Sequence, residues 1–317
     1  MSQPASVPAP RRNAPLTGIA FKVGAVMLFL VMAALLKATN GVPPGELVFF
    51  RSFVGIFPVV LFLAWQGELR AGLRTNAVGG HVWRGVVGTI SMGLNFFALK
   101  LLPLPEAVTI GYATPLVIVI LSALILHEVV RLYRWTAVVV GLIGVVIIAW
   151  PRLTVFSGSA GDGLAIGALA AIAGSFLGGV AQLLVRKLIQ TERSATVVLY
   201  FLVVSSGLAL MTLPFGWVMP TPTELAMLVG AGICGGVAQV MMTESYRHAD
   251  MSVVAPFEYT SLIFSVMIGF VFFGDVPTPY VWIGGLIVVG SGLFIIYREH
   301  KLGRDRSREK QVVTPQG

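Results

Sequence analysis

The chain has 317 residues and a formal net charge of +8; 56% of it is hydrophobic and 11% is charged. A soluble domain carries about 25% charged residues. The composition of this chain therefore excludes a soluble domain and indicates a membrane protein. The single cysteine, Cys234, excludes an intramolecular disulfide and a multi-cysteine metal site.

Ten apolar stretches are each long enough to cross a bilayer core, which takes about 20 helical residues. They follow residues 1–16, a Pro-, Ala- and Ser-rich segment that we predict to be disordered and cytoplasmic. The first stretch exceeds the apolar core of a signal peptide, so we predict an uncleaved span. Numbered as spans 1 to 10, the predicted helices occupy 17–37, 45–66, 80–100, 105–126, 133–150, 163–187, 194–213, 223–246, 252–273 and 279–297.

The Lys and Arg residues predict the orientation of the spans. With the N-terminus in the cytoplasm, most of them fall in the inner connections and in a basic tail, residues 298–317. The outer side, including the outer ends of the spans, holds only Lys37, Lys100 and Arg152. The positive-inside rule then predicts a multi-pass membrane protein with both termini cytoplasmic. We expect the basic loops and tail to contact anionic lipid, and we expect no nucleic acid as a partner.

A series of charged and aromatic residues around span 4 is repeated, with the same spacing, around span 9. The matching pairs are Lys100/Arg247, Tyr112/Tyr259, Glu128/Asp275, Tyr133/Tyr280 and Trp135/Trp282. Because five spans separate the copies, the second copy must be inverted. We predict an all-α polytopic membrane protein with ten transmembrane helices in two inverted five-helix repeats, 17–150 and 163–297. Such repeats are typical of secondary transporters with a site at the repeat interface.

Glu258 and Lys22 are charged residues inside spans, where each charge costs about 2.5–3.5 kcal/mol at a helix centre. Glu258 follows Pro256 and shares a helical face with Ser261 and Ser265. Proline frees a backbone carbonyl, and broken helices line transporter sites. Lys22 enters span 1 from the same side at similar depth. Three interpretations stay open: a substrate or proton-coupling site with Lys22 as ion-pair partner, a structural ion pair, and a carboxylate facing the cytoplasm.

Two further charges lie near span ends. Arg51 is near the outer end of span 2, where its long side chain is expected to reach the headgroups and serve a structural role. Glu244 is near the inner end of span 8, where hydration and a site role are both open.

The twin tyrosines, Tyr112 and Tyr259, enter their spans from opposite sides. Each is roughly 10 Å deep at 1.5 Å per residue, near the middle of a core about 30 Å thick. A tyrosine ring suits an organic solute, although packing between helices is the alternative. The predicted substrate contacts, some of which can instead join helices by hydrogen bonds, are Tyr112, Tyr259, Glu258, Asn95, Thr114, Gln182 and Gln239.

Several motifs argue against an enzyme. Gly230–Gly235 spells G-x-G-x-x-G, but inside an apolar helix it indicates helix packing, as do Gly163/Gly167, Gly174/Gly178 and Gly232/Gly236. The four histidines lack ligand spacing, and no hydrolase, metalloprotease or P-loop motif occurs. We therefore expect no catalytic residue, metal or cofactor, and a monomer or homodimer. A membrane-embedded enzyme and a non-transporting scaffold remain the alternatives.

Four segments together give the chain a family resemblance that extends over about residues 17 to 297. They are Glu46–Ser52, Trp83–Gly85, Pro105–Leu116 and Ala255–Thr260. With them the chain resembles the EamA family of the drug/metabolite transporter superfamily. The resemblance implies ten helices in two inverted repeats, and alternating access to a cavity lined by spans 1, 3, 4, 6, 8 and 9. It implies a carrier of the bacterial inner membrane and a small organic solute of the amino-acid, riboflavin or S-adenosylmethionine type. The S-adenosylmethionine carriers tend to place a basic residue in the span-9 motif, where this chain has Glu258.

Overall fold

A computed structural model describes residues 14–125, 131–153, 159–249 and 251–312. All secondary structure in these residues is helical. Nine helical segments in the described residues, two of them interrupted, are long and apolar enough to cross a membrane, and Ser194–Leu210 is a shorter apolar helix. The predicted all-α, ten-span fold is thereby confirmed.

The first repeat contains five spans and one short connecting helix, Leu69–Gly72. Its spans 1 to 5 are Pro15–Ala38, Pro44–Trp65, Val78–Leu101, the two helices Leu104–Gly111 and Ala113–Ile125, and Leu132–Leu153. Span 4 is thus interrupted where one continuous helix was predicted. Residues 1–13 of the predicted disordered segment, and Glu128, lie outside the described residues.

The second repeat also contains one interrupted span. Its spans 6 to 10 are Ser159–Leu188, Ser194–Leu210, Pro222–His248, the segments Met251–Val254, Ala255–Tyr259 and Thr260–Phe273, and Pro279–Val312. The middle segment of span 9 is a 3₁₀ helix. The apolar part of the last helix, Pro279–Arg298, agrees with the predicted span 279–297, and the helix itself continues into the basic tail.

The bundle has two ends. We call "outer" the end that carries the connections 39–43, 102–103, 211–221 and 274–278. We call "inner" the end that carries residue 14 and the connections 66–77 and 189–193. The assignment of the inner end to the cytoplasm remains a prediction.

The main pairs of spans that pack together have equivalent pairs, formed by the corresponding spans of the other repeat. Spans 1 and 8 pack together, as do their counterparts 6 and 3; the same holds for 2 with 8 and for 7 with 3. The equivalent spans 2 and 7, 4 and 9, and 5 and 10 also contact each other. Spans 4 and 9 therefore meet at the interface between the repeats.

Small residues bring the helices together, as their spacing predicts. A Cβ at Gly236 of span 8 would lie 2.7 Å from the carbonyl oxygen of Gly55 in span 2. A Cβ at Gly167 of span 6 would lie 2.9 Å from Leu101 Cβ in span 3. Gly163 differs, since nothing lies within 4 Å of its Cβ position. Close backbone approach is a main source of helix association in lipid.

The crossing of spans 5 and 10 gives a test of this packing. A Cβ at Gly144 would lie 2.8 Å from the carbonyl oxygen of Gly284, a backbone atom that cannot move aside. We expect Gly144→Leu to destabilise the protein by about 1–3 kcal/mol, because the helices must separate. Gly290→Leu is the matched control in span 10, since nothing lies within 4 Å of its Cβ position. Thermal unfolding in detergent measures both; equal melting temperatures would contradict the prediction.

Candidate functional site

Spans 4 and 9 are both interrupted at their twin tyrosines. In span 4 the Tyr112 amide donates to the carbonyl of Thr109 at 3.2 Å, a tighter turn than in an α-helix. Pro115 follows, and without an N–H it cannot bond the carbonyl of Gly111. In span 9 the 3₁₀ segment ends at Tyr259. Broken backbone at membrane depth is tolerated where protein or a cavity satisfies it.

The two tyrosine rings meet at the repeat interface. Their centres are 5.3 Å apart and their planes are inclined at 68°, an edge-to-face contact. The Tyr112 hydroxyl lies 2.5 Å from the Ser261 hydroxyl of span 9. Tyr112 is only 6% exposed, whereas Tyr259 is half-buried with its hydroxyl in the space next to Gly292 of span 10. Tyr112 thus joins the repeats, and Tyr259 is the more accessible ring.

Lys22 and Glu258 form an ion pair between spans 1 and 9. The Lys22 side chain is 2% exposed and the Glu258 side chain is 45% exposed. Lys22 Nζ also lies 3.1 Å from the sulfur of Met242 and 3.4 Å from the Tyr246 hydroxyl. The ammonium is therefore enclosed by protein, while the carboxylate has one open side.

Tyr246 was missed as a neighbour of this ion pair. Its ring centre lies 5.5 Å from Lys22 Nζ. The available signal was its position four residues after Met242, which places both side chains on one face of span 8.

Asn95 and Thr114 lie where spans 3, 4 and 6 meet. The Asn95 amide donates to the Ser91 carbonyl at 2.8 Å, and a Cβ at Gly174 would lie 2.7 Å from that amide nitrogen. The Thr114 hydroxyl donates to the Ser175 carbonyl at 3.3 Å. Both side chains thus make hydrogen bonds to backbone carbonyls, Thr114 across helices and Asn95 within span 3.

Two serines missed by the sequence analysis complete this contact. The Ser91 hydroxyl donates to the Gly174 carbonyl at 2.7 Å. The Ser175 hydroxyl donates to the carbonyl of Ile110 at 3.4 Å, just before the interruption of span 4. Serine inside an apolar helix is a weak signal, because it often bonds only its own helix.

The two predicted glutamines lie on different sides of the bundle. Gln182 is exposed and lies one turn after Gly178, on the face of span 6 that packs on spans 3 and 4. Gln239 lines a small recess with Val59 of span 2 and Val198 of span 7. Gln239 therefore faces spans 2 and 7, and not the tyrosine pair.

Glu244 is largely enclosed near the inner end of span 8. Its side chain is 13% exposed, and its carboxylate lies 3.9 Å from His248 Nδ1. Glu244 is therefore not in a hydrated position, and its carboxylate contacts a residue of its own helix.

Arg51 does not reach the headgroups, contrary to the prediction. It is 7% exposed, and its guanidinium carbon lies 5.8 Å from the ring centre of Phe201 in span 7. Arg84 of span 3 stacks on the same ring at 3.6 Å. Arg84 was missed as an intramembrane charge because its position near the start of a span resembles a basic flank. Each buried charge costs about 2.5–3.5 kcal/mol by insertion scales, so the pair requires an explanation.

At the outer end, lysines tie four spans together. Lys37 of span 1 donates to the backbone carbonyl just after span 3 at 2.5 Å and lies 3.9 Å from the Asp275 carboxylate. Asp275, which follows span 9, accepts the backbone N–H of Leu104 in span 4 at 2.9 Å. Lys100 of span 3 donates to the Thr39 hydroxyl at 2.6 Å. These contacts close the outer ends of spans 1, 3, 4 and 9 against each other.

Comparisons with known proteins identify the family. The EamA-like transporter family matches residues 16–150 and 165–297. A riboflavin transporter of Vibrio cholerae is 28% identical over 306 residues, 95% of this chain and 99% of that protein. The pseudopaline exporter CntI of Pseudomonas aeruginosa is 30% identical over 277 residues, 86% and 93% of the two chains. An S-adenosylmethionine uptake transporter of Rickettsia prowazekii is 27% identical over 256 residues, 81% and 84%.

A solved crystal structure supports the fold. It superposes with a TM-score of 0.63 at 23% identity and covers 89% of this chain and 97% of the other. Both halves of the chain match the family, and the named relatives above transport small metabolites. The chain therefore belongs to the EamA-like transporter family and is a multi-pass membrane transporter of small metabolites.

Proposed function

We propose that the protein carries a small, flat aromatic metabolite without net charge, of the flavin type, across the bacterial cytoplasmic membrane. The observation that carries the proposal is the aromatic pair Tyr112 and Tyr259 at the interruptions of spans 4 and 9. An aromatic ring offers a stacking surface to a flat solute, and uncharged groups near it orient the solute by hydrogen bonds. The nearest charges, Lys22 and Glu258, neutralise each other.

The charge of the solute separates a flavin from the alternatives, since the relatives include transporters of three kinds of solute. Riboflavin is a flat, uncharged ring system with a hydroxylated chain, and two of the similar proteins are named riboflavin transporters. S-adenosylmethionine carries a positively charged sulfonium and favours an unpaired carboxylate. Here the Glu258 carboxylate is already paired with Lys22. The charge balance thus favours the uncharged solute.

In this proposal Tyr259 stacks on the solute, and Gln182, Asn95 and Thr114 supply hydrogen bonds from spans 6, 3 and 4. Tyr112 supports Tyr259 from behind. Gln239 receives no contact, because it faces spans 2 and 7. Glu258, with one open side, carries the coupling proton, and Lys22 sets its charge.

The difference between the two ends of the bundle supports alternating access. The outer ends of spans 1, 3, 4 and 9 are tied by Lys37, Lys100 and Asp275. Toward the inner end, Gln182 and the Glu258 carboxylate are exposed. We propose that this conformation is inward-facing, that both termini are cytoplasmic, and that the tyrosine interruptions are the points where spans 4 and 9 bend.

Counterflow in proteoliposomes tests the proposed solute. Vesicles are loaded with riboflavin, S-adenosylmethionine or pooled amino acids, and exchange is read by mass spectrometry. We expect protein-dependent exchange of riboflavin, with S-adenosylmethionine and amino acids at the level of empty vesicles. Exchange of S-adenosylmethionine without riboflavin would overturn the flavin assignment and leave the transporter intact.

The outer closure gives a second test. Asp275→Asn removes the charge that faces Lys37, so we expect the outer end to open more often. In a Cys234→Ser background, Leu36→Cys places a reporter at a fully buried position of outer span 1. Labelling by a membrane-impermeant maleimide should rise about threefold or more with Asp275→Asn, equivalent to about 0.7 kcal/mol. Glu68→Gln, which removes an exposed inner ion pair with Arg193, is the control. Unchanged labelling would refute the closure.

A further inference from the structure

Arg51 and Arg84 reach one place in the bundle from opposite ends. Arg51 enters on span 2 from the outer end, and Arg84 enters on span 3 from the inner end. Both guanidiniums lie within 6 Å of the ring centre of Phe201, at 5.8 and 3.6 Å. Two positive charges thus converge on one ring near the middle of the membrane-spanning region.

Neither arginine has a counter-charge in the part of the chain that the structure describes. The Nε and Nη1 atoms of both side chains are buried and lack a hydrogen-bond acceptor among the described residues. Arg51 itself is 7% exposed. Buried charges are normally paired, because an uncompensated charge loses its hydration without replacement.

The neighbouring groups strengthen this observation. Other buried side chains with polar atoms that lack a hydrogen-bond partner in the described residues lie on the same three spans: Ser52 on span 2, His81 on span 3 and Thr196 on span 7. Each can donate a hydrogen bond. The unsatisfied donors are therefore concentrated at the contact of spans 2, 3 and 7, apart from the tyrosine pair on spans 4 and 9.

We propose that Arg51 and Arg84 form an intramembrane anion site that binds a carboxylate or phosphate oxyanion against Phe201. Guanidinium groups present paired N–H donors that match such oxyanions. The site is separate from the proposed flavin site and does not depend on it. The oxyanion is either a free inorganic anion or a group carried on a second, anionic solute.

Thermal unfolding of the purified full-length protein tests the site. The buffer contains HEPES as its bulky anion, and phosphate, acetate or chloride is added at constant ionic strength. For wild type we expect phosphate or acetate to raise the melting temperature by about 3 °C. For Arg51→Gln/Arg84→Gln the shift should vanish. The control, Arg70→Gln/Arg74→Gln, removes two exposed arginines between spans 2 and 3 and should retain the shift.

The same variants also test the site in the absence of added anion, where the expected effect on stability has the opposite sign. If the arginines await an anion, Arg51→Gln/Arg84→Gln should melt at the same or a higher temperature in HEPES alone, because two unpaired charges are removed. A lower melting temperature, or an anion shift equal to that of wild type, would overturn the proposal.

Transport distinguishes the source of the oxyanion. If the anion is free, added phosphate changes the rate of riboflavin counterflow in wild type and not in the double variant. If the oxyanion belongs to an anionic solute, wild type exchanges flavin mononucleotide and the double variant does not, whatever the buffer anion. Should no flavin be exchanged at all, the proposed function fails, and the thermal measurements still decide the anion site.

Discussion

Glu258→Gln is expected to abolish proton-driven uptake, to leave solute exchange measurable, and to lower the stability of the protein. The carboxamide cannot carry a proton, so coupling is lost while the cavity persists. The substitution also leaves the Lys22 ammonium, 2% exposed, without its partner. Breaking one side of a buried ion pair costs about 3–5 kcal/mol. We expect the lower end of that range, because Glu258 is 45% exposed and its interaction is partly screened.

Lys22→Met should be milder in stability. It leaves a half-exposed carboxylate that water solvates, and the methionine fills the apolar space beside Met242. We expect a loss of about 1 kcal/mol. The double variant Lys22→Met/Glu258→Gln should recover most of the stability lost by Glu258→Gln alone, since no buried charge remains.

Two measurements separate coupling from folding. Thermal unfolding in detergent ranks the three variants, and transport compares uptake driven by a pH gradient with counterflow at equal pH. Glu68→Gln, which neutralises an exposed inner carboxylate, is the control for charge alone. Normal gradient-driven uptake by Glu258→Gln would remove the coupling role. Equal losses of stability in Glu258→Gln and Lys22→Met would contradict the prediction that the buried Lys22 depends more on the ion pair than the half-exposed Glu258.

The number of helices, the repeat and the ion pair could be predicted from the sequence, because each leaves a pattern that is visible before the helices are placed. Span length follows from apolar runs, and the echo of Tyr112 in Tyr259 needs only spacing. Lys22 and Glu258 were paired because two charges at similar depth on the same side of a membrane have few other partners.

What the sequence could not supply was the rotation of each helix. Gln239 and Gln182 look alike as polar residues within spans, yet one faces spans 2 and 7 and the other faces spans 3 and 4. Arg51 was expected to extend toward the headgroups, but Gly235 of span 8 leaves room for its side chain to pack inward. A glycine on one helix and an arginine on another reveal their contact only once both helices are placed.

The twin tyrosines should respond differently to the same substitution, although the repeat makes them equivalent in sequence. Tyr112 is 6% exposed within a packed cluster, so Tyr112→Ala opens a cavity and should cost about 3–5 kcal/mol in stability. Tyr259 is only half-buried, so Tyr259→Ala should cost less in folding. Its expected effect is on the solute, because it removes the accessible ring of the pair.

Loss of an aromatic stacking partner weakens binding of a flat ring by about 1–3 kcal/mol, or about 5- to 150-fold. We therefore expect the half-saturating riboflavin concentration in counterflow to rise by at least about fivefold for Tyr259→Ala. Tyr259→Phe, which keeps the ring, should change it by less than about threefold. Tyr280→Ala at the outer end of span 10, where the residue is 48% exposed, is the control and should leave counterflow unchanged. If Tyr259→Ala exchanges riboflavin like wild type, the solute does not stack on this ring, and the interruption of span 9 serves only to bend the helix.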